Sequence, residues 1–175
     1  MVGSLTGKKP MPAAKKAADQ SAWQVAEAPR TWRMWEIDPP PRSFIDSNIL
    51  IYADSDDEPA KQKAAALLIA FVITTRSGVI STQVLNEYTN VALRKLGLTH
   101  SRLREQLRFY QQFEIVTLTP DITYAAVDLH QTRSISFYDA LIVATAQIAG
   151  CTRVYSEDMN TGELVGGVRL VNPFS

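Results

Sequence analysis

Cysteine occurs once in the 175 residues, at Cys151, so no disulfide can close within the chain. A lone thiol fits a reducing compartment, and the cytoplasm is the expected location. Histidine occurs only twice, at His100 and His130, and neither CxxC nor HExxH spacing is present. That removes the usual nitrogen- and sulfur-ligated zinc sites. No apolar run reaches the roughly 18 residues of a membrane span, so no membrane partner is expected. Lysines stand near the N-terminus at Lys8, Lys9, Lys15 and Lys16, but no apolar run follows them, which is not the layout of a secretory signal. Glycine-rich phosphate loops of the GxGxxG or GxxxxGK(S/T) kind are missing, which leaves nucleotide binding of those types unsupported.

Net charge is also missing: 18 Lys and Arg balance 18 Asp and Glu. The zero hides an asymmetry. Residues 1–42 carry seven basic and four acidic side chains, and residues 43–175 carry eleven and fourteen. The body of the chain is therefore mildly acidic. A nucleic-acid binder held by a broad basic surface is disfavoured, and a phosphate substrate would need a local basic patch or metal ions.

What is present is enough apolar sequence, 46% of the chain, for one folded domain with an appendage. Residues 1–42 hold six of the nine prolines and all three tryptophans, Trp23, Trp32 and Trp35. They read as an N-terminal extension, flexible or partly docked, and "DPPPRS" breaks structure at its end. The domain is expected over 43–175. There "SFID", "GVIST", "EIVTL", "TRVYS" and "VRLVN" read as β-strands. Between them "EPAKQKAAALLIAFVIT", "QVLNEYTNVALRKLG", "SRLREQLRFYQQF", "TPDITYAAVDLHQT" and "SFYDALIVATAQIAG" read as helices. Alternation of this kind predicts an α/β domain with a mostly parallel sheet of about five strands.

In such a sheet the C-terminal ends of strands and the N-terminal ends of the following helices share one edge, where ligands bind. Four acids fall there: Asp46 ends the first strand, Glu87 lies a turn into the next helix, Asp139 is in the first turn of "SFYDALIV", and Asp158 follows "TRVYS". Four carboxylates in one cleft repel one another, and a divalent cation removes the conflict. Oxygen-only ligands favour Mg²⁺ or Mn²⁺. Each acid also has a plainer reading. Asp46 can cap a helix with Ser47 and Asn48 nearby, and Asp139 can face the helix N-terminus below Ser136. Glu87 can be a solvated helix residue. Asp158 can be a loop acid, with Glu157 as its rival.

The stretches "FIDSNILIYA", "ISTQVLNEYTNVALRK", "SFYDALIVATAQIAGC" and "RVYSEDMNTG" resemble the PIN-domain family of ribonucleases, most of all the toxins of the VapC kind. The resemblance covers about residues 43–174. It implies a three-layer α/β/α sandwich and metal-dependent hydrolysis of RNA phosphodiester bonds, with Asp46, Glu87, Asp139 and Asp158 as catalytic metal-binding acids. It implies support of Asp46 by Asn48, and a role for Ser156 in orienting substrate or metal. A cognate antitoxin and a homodimer follow from the same likeness. The 42-residue extension departs from it. A catalytically weak domain that binds RNA or protein is the alternative.

For the substrate, the most basic internal stretch is 94–108, where Arg94, Lys95, Arg104 and Arg108 are candidate RNA contacts, with a solvated helix face as the plain alternative. "DSDDE" at 54–58 reads as a solvated helix start. Tyr52 and Tyr138 are possible base-stacking residues that more naturally pack in or beside the core.

Overall fold

A computed structural model describes residues 40–175, and the expectation for residues 1–39 lies outside the described part. Strand β1 (Ser43–Ile45) is followed by helices α1 (Ser47–Asp54) and α2 (Pro59–Thr74). Then come β2 (Gly78–Ser81), α3 (Thr82–Arg94), α4 (His100–Tyr110) and β3 (Glu114–Val116). Helices α5 (Pro120–Arg133) and α6 (Phe137–Ile148) lead to β4 (Arg153–Tyr155), β5 (Leu164–Val165) and β6 (Val168–Val171).

The sheet order is β3-β2-β1-β4-β6-β5, parallel throughout except for β5 against β6. From β1 the chain steps to β2 and β3 in one direction, then returns across the sheet to β4 on the other side of β1. Right-handed crossovers therefore put α1–α4 on one face and α5–α6 on the other. Packing agrees: α1 meets α2 and α3, α3 meets α4, and α5 meets α6. With both faces covered, the central strands are apolar along their length instead of alternating. Phe44, Ile45, Val79, Ile80 and Val154 are all fully buried. A smaller core of Ile122, Ala126, Ala140, Leu141 and Ala144 lies between α5 and α6.

Two elements differ from the sequence expectation. Helix α1 begins directly at the end of β1, with no turn between them. Asp46 makes the change: its backbone is extended (φ −77°, ψ 160°) and its side chain accepts from the Ser47 N–H as an N-cap. Strand β5 is a sixth strand of two residues. It joins β6 through Gly166 and Gly167, both at positive φ (56° and 85°), the backbone a two-residue hairpin turn of this hand requires.

The acidic stretch at 54–58 is not a uniformly solvated helix start. Asp54 is the last residue of α1 and accepts hydrogen bonds from Tyr88 Oη (2.7 Å), Tyr110 Oη (2.9 Å) and the Gln106 amide. Asp56, Asp57 and Glu58 are exposed as expected. Two deeply buried tyrosines need an acceptor for their hydroxyls, and Asp54 supplies it.

Candidate active site

The point where the chain reverses its direction across the sheet lies between β1 and β4. Crevices at such switch points, beyond the C-terminal strand ends, are where α/β sheets bind ligands. Asp46 leaves β1 there, and Ser156–Asp158 leave β4 beside it. The backbone joins the two exits: Asp46 N donates to Tyr155 O at 3.0 Å.

Asp46 is 5% exposed, and its carboxylate accepts from three neighbours. Ser47 N reaches Oδ1 at 2.6 Å, while Ser156 Oγ and Asn48 Nδ2 reach Oδ2 at 2.7 and 3.1 Å. Burial nevertheless pushes its carboxyl up to about 6, against the hydrogen bonds from Ser156 and Ser47, with the charges of Glu87 and Asp158 adding to the rise.

Two small side chains tie the acids together. Ser47 Oγ donates to Glu87 Oε2 at 2.8 Å and stands 3.4 Å from Asp46 Oδ1. Asn48 Nδ2 lies 3.1 Å from Asp158 Oδ2 as well as from Ser156 Oγ. Asp46 therefore shares Ser47 with Glu87, and Asn48 with Asp158. Asp139 joins from the other face. It lines a cleft of about 210 Å³ with Asp158, Ser136, Asn160 and Glu163. Its backbone N–H is capped by Ser136 Oγ at 3.1 Å, so the helix-start reading of "SFYD" holds beside its position in the cleft.

Ser47 and Gln83 were not singled out from sequence as site residues. Gln83 Nε2 donates to Glu87 Oε1 at 2.8 Å, one turn along α3, and the i, i+4 spacing was the available signal. Its Oε1 is buried and has no hydrogen-bond partner. Of the rival acids in the β4 loop, Glu157 points away to Lys61, with Nζ–Oε1 at 2.6 Å. Burial works to raise the Glu157 carboxyl, but hydrogen bonds from Lys61 and Tyr52 outweigh it and hold the group below its usual value.

None of the four basic candidates lines this cleft. Arg104 and Arg108 line a separate shallow pocket of about 330 Å³ with His100, Ser101 and Glu105. Arg94 and Lys95 are exposed at the end of α3. Tyr138, expected to pack, is 65% exposed beside Asp139, because its helix turns Ala140 and Leu141 into the core instead. Tyr52 does pack, edge-on to Phe174 at 5.0 Å.

As placed, no three acidic, histidine or cysteine side chains among the described residues converge on one point. The donor set still fits a hard cation: every acid offers oxygen, carboxylates keep free lone pairs beyond the bonds described, and like charges meet a buried carboxyl.

The PIN-domain family matches residues 43–163. No curated protein matches the chain significantly. Among solved structures, a toxin–antitoxin complex from Klebsiella pneumoniae is 24% identical, with a TM-score of 0.55, over 75% of this chain and 97% of that one. VapC20 of Mycobacterium tuberculosis, a sarcin–ricin loop cleaving toxin, is 19% identical (TM-score 0.54) over 67% and 91%. A DNA-bound VapBC from Salmonella typhimurium is 15% identical (TM-score 0.55) over 74% and 96%. At these identities the solved structures show a shared fold, and the match over 43–163 shows the family: the chain belongs to the PIN-domain proteins.

Proposed function

We propose that the chain is a metal-dependent endoribonuclease and the toxin of a toxin–antitoxin pair, with RNA as substrate and Mg²⁺ or Mn²⁺ as cofactor. The observation that carries this reading is the set of acids joined through Ser47 and Asn48 at the sheet's switch point, with a buried carboxyl raised in part by its acidic neighbours. Asp46, Glu87, Asp139 and Asp158 would hold the ion. When bound, a divalent cation in such a site activates a water and offsets phosphate charge.

The chain's own contribution is orientation. Ser156, Asn48 and Ser47 N fix both oxygens of Asp46, and Ser47 and Gln83 fix those of Glu87. A cation held there would favour the deprotonated form of Asp46, whose carboxyl burial raises to about 6. The solved neighbours are toxins or toxin–antitoxin assemblies by name, which supports the pairing with an antitoxin. Pairing with a second copy of the chain belongs to the same proposal, and sedimentation of the purified protein tests it.

Cleavage of a structured RNA pool tests the reading, with either ion, with EDTA, and with Asp46→Asn. The variant keeps shape and capping ability but loses the charge. The expected result is metal-dependent cutting that the variant lacks. Folded wild type that neither cuts RNA nor binds either ion would overturn the proposal and leave the domain as a binding module.

A further inference from the structure

Lys61, on the first turns of α2, is not a freely solvated lysine. Its ammonium has three donors, and three acceptors take them: Glu157 Oε1 at 2.6 Å, Glu58 Oε2 at 3.0 Å and Tyr52 Oη at 3.1 Å. Its Nζ also stands 4.6 Å from the ring centre of Tyr52 and 5.8 Å from that of Phe174. Its side chain is 25% exposed. Four segments meet at this one group: α1, α2, the loop after β4, and the segment after β6.

Glu157 is the middle residue of Ser156-Glu157-Asp158. The chain bends here just after β4, and the Asp158 N–H donates back to Ser156 Oγ at 3.2 Å. Here Ser156 turns to Asp46 (2.7 Å), Asp158 lies 3.1 Å from Asn48 Nδ2, and Glu157 turns the other way to Lys61. Its backbone N–H meanwhile donates to Asn48 Oδ1 at 3.4 Å. Whatever fixes the Glu157 carboxylate therefore fixes the residues on either side of it. We infer that Lys61 is a positioning residue for the acidic site: by gripping Glu157 it holds the β4 loop in the register that presents Ser156 and Asp158 to Asp46 and Asn48. The inference rests on the nuclease reading for its effect on rate, but not for its effect on the loop.

Three proteins test it: Lys61→Met, which keeps the stem and removes the charge, Lys61→Arg, and the exchanged pair Lys61→Glu/Glu157→Lys. Hydrogen exchange at the amides of residues 156–158 reads the loop directly. RNA cleavage against Mn²⁺ concentration reads the site. The expected pattern for Lys61→Met is faster exchange confined to that loop, kcat lowered about tenfold with KM little changed, and a several-fold higher Mn²⁺ concentration for half-maximal rate. Lys61→Arg, and in part the exchanged pair, should restore all three. Faster loop exchange with unchanged kcat and Mn²⁺ dependence would overturn the positioning role while leaving the nuclease standing. Exchange unchanged in Lys61→Met would overturn it whatever the activity. A wild type that cuts no RNA is the failure of the nuclease reading, and calorimetric Mn²⁺ binding then decides: a several-fold weaker affinity in Lys61→Met supports the positioning role, and equal affinity overturns it.

Discussion

Asp46 is pulled in two directions. As an N-cap at the start of α1 it is favoured as an anion, and as a side chain 5% exposed among other acids it is favoured neutral. Burial wins, and the carboxyl rises from 3.8 to about 6. An acid raised on folding contributes stability below its unfolded pKa, and that contribution is lost as pH rises through the folded value. Metal-free wild type should therefore lose about 2 kcal/mol relative to Asp46→Asn between pH 4 and pH 7. Urea unfolding of both proteins across that range measures it, and parallel curves would refute the assignment. The same proton competes with cations. Mn²⁺ affinity, read by calorimetry, should strengthen as pH rises to about 6 and level off above it.

At the scale of elements, the Asp54 cluster binds the end of α1 to α3 and α4 through Tyr88, Tyr110 and Gln106. Asp54→Ala strands two buried phenols and should cost about 2–4 kcal/mol, whereas Tyr88→Phe should cost about 1 kcal/mol. Chemical denaturation separates the two. Gly78 opens β2 where a Cβ would meet Phe113 and Val72 side-chain carbons at 2.8 Å. Gly78→Ala should then destabilise by about 1–3 kcal/mol through overpacking, with the Phe113 ring and Val72 forced to move. Elements bounded by turn residues were legible in the sequence. Pro120 marks the start of α5, and Gly150 follows the end of α6 at positive φ. Helix α1 was not legible, because Asp46 turns strand into helix without a loop, so "FIDSNILIYA" shows no punctuation. Strand β5 is too short to carry a period.

Across the whole molecule, the gathering of Asp46, Glu87 and Asp158 was legible because strand ends and helix starts must share an edge. What joins them was not. Ser47 bridges Asp46 to Glu87 only through the pairing of β1 with β2, and Glu157, the rival of Asp158, is bound by Lys61, 96 residues away. Nor did the sequence show that the arginines of α4 line a pocket of their own. If they meet RNA from that pocket, Arg104→Ala/Arg108→Ala should lower the salt dependence of RNA binding by about one to two ions while leaving kcat intact. Equal slopes for the variant and wild type would assign that face to solvent.

The pairing of β1 with β4 has a consequence for the protein's birth. Asn48 and Asp158, held together in the finished site, are separated by 110 positions, and the loop that completes the cluster is made only after α1–α6 have been translated. Domains fold as they emerge, and contacts between distant segments form late. If the proposed activity is right, a nascent chain cannot attack the RNA around it. On that reading, synthesis itself would be the safety catch, released only once the β4 segment has emerged and found its place beside β1.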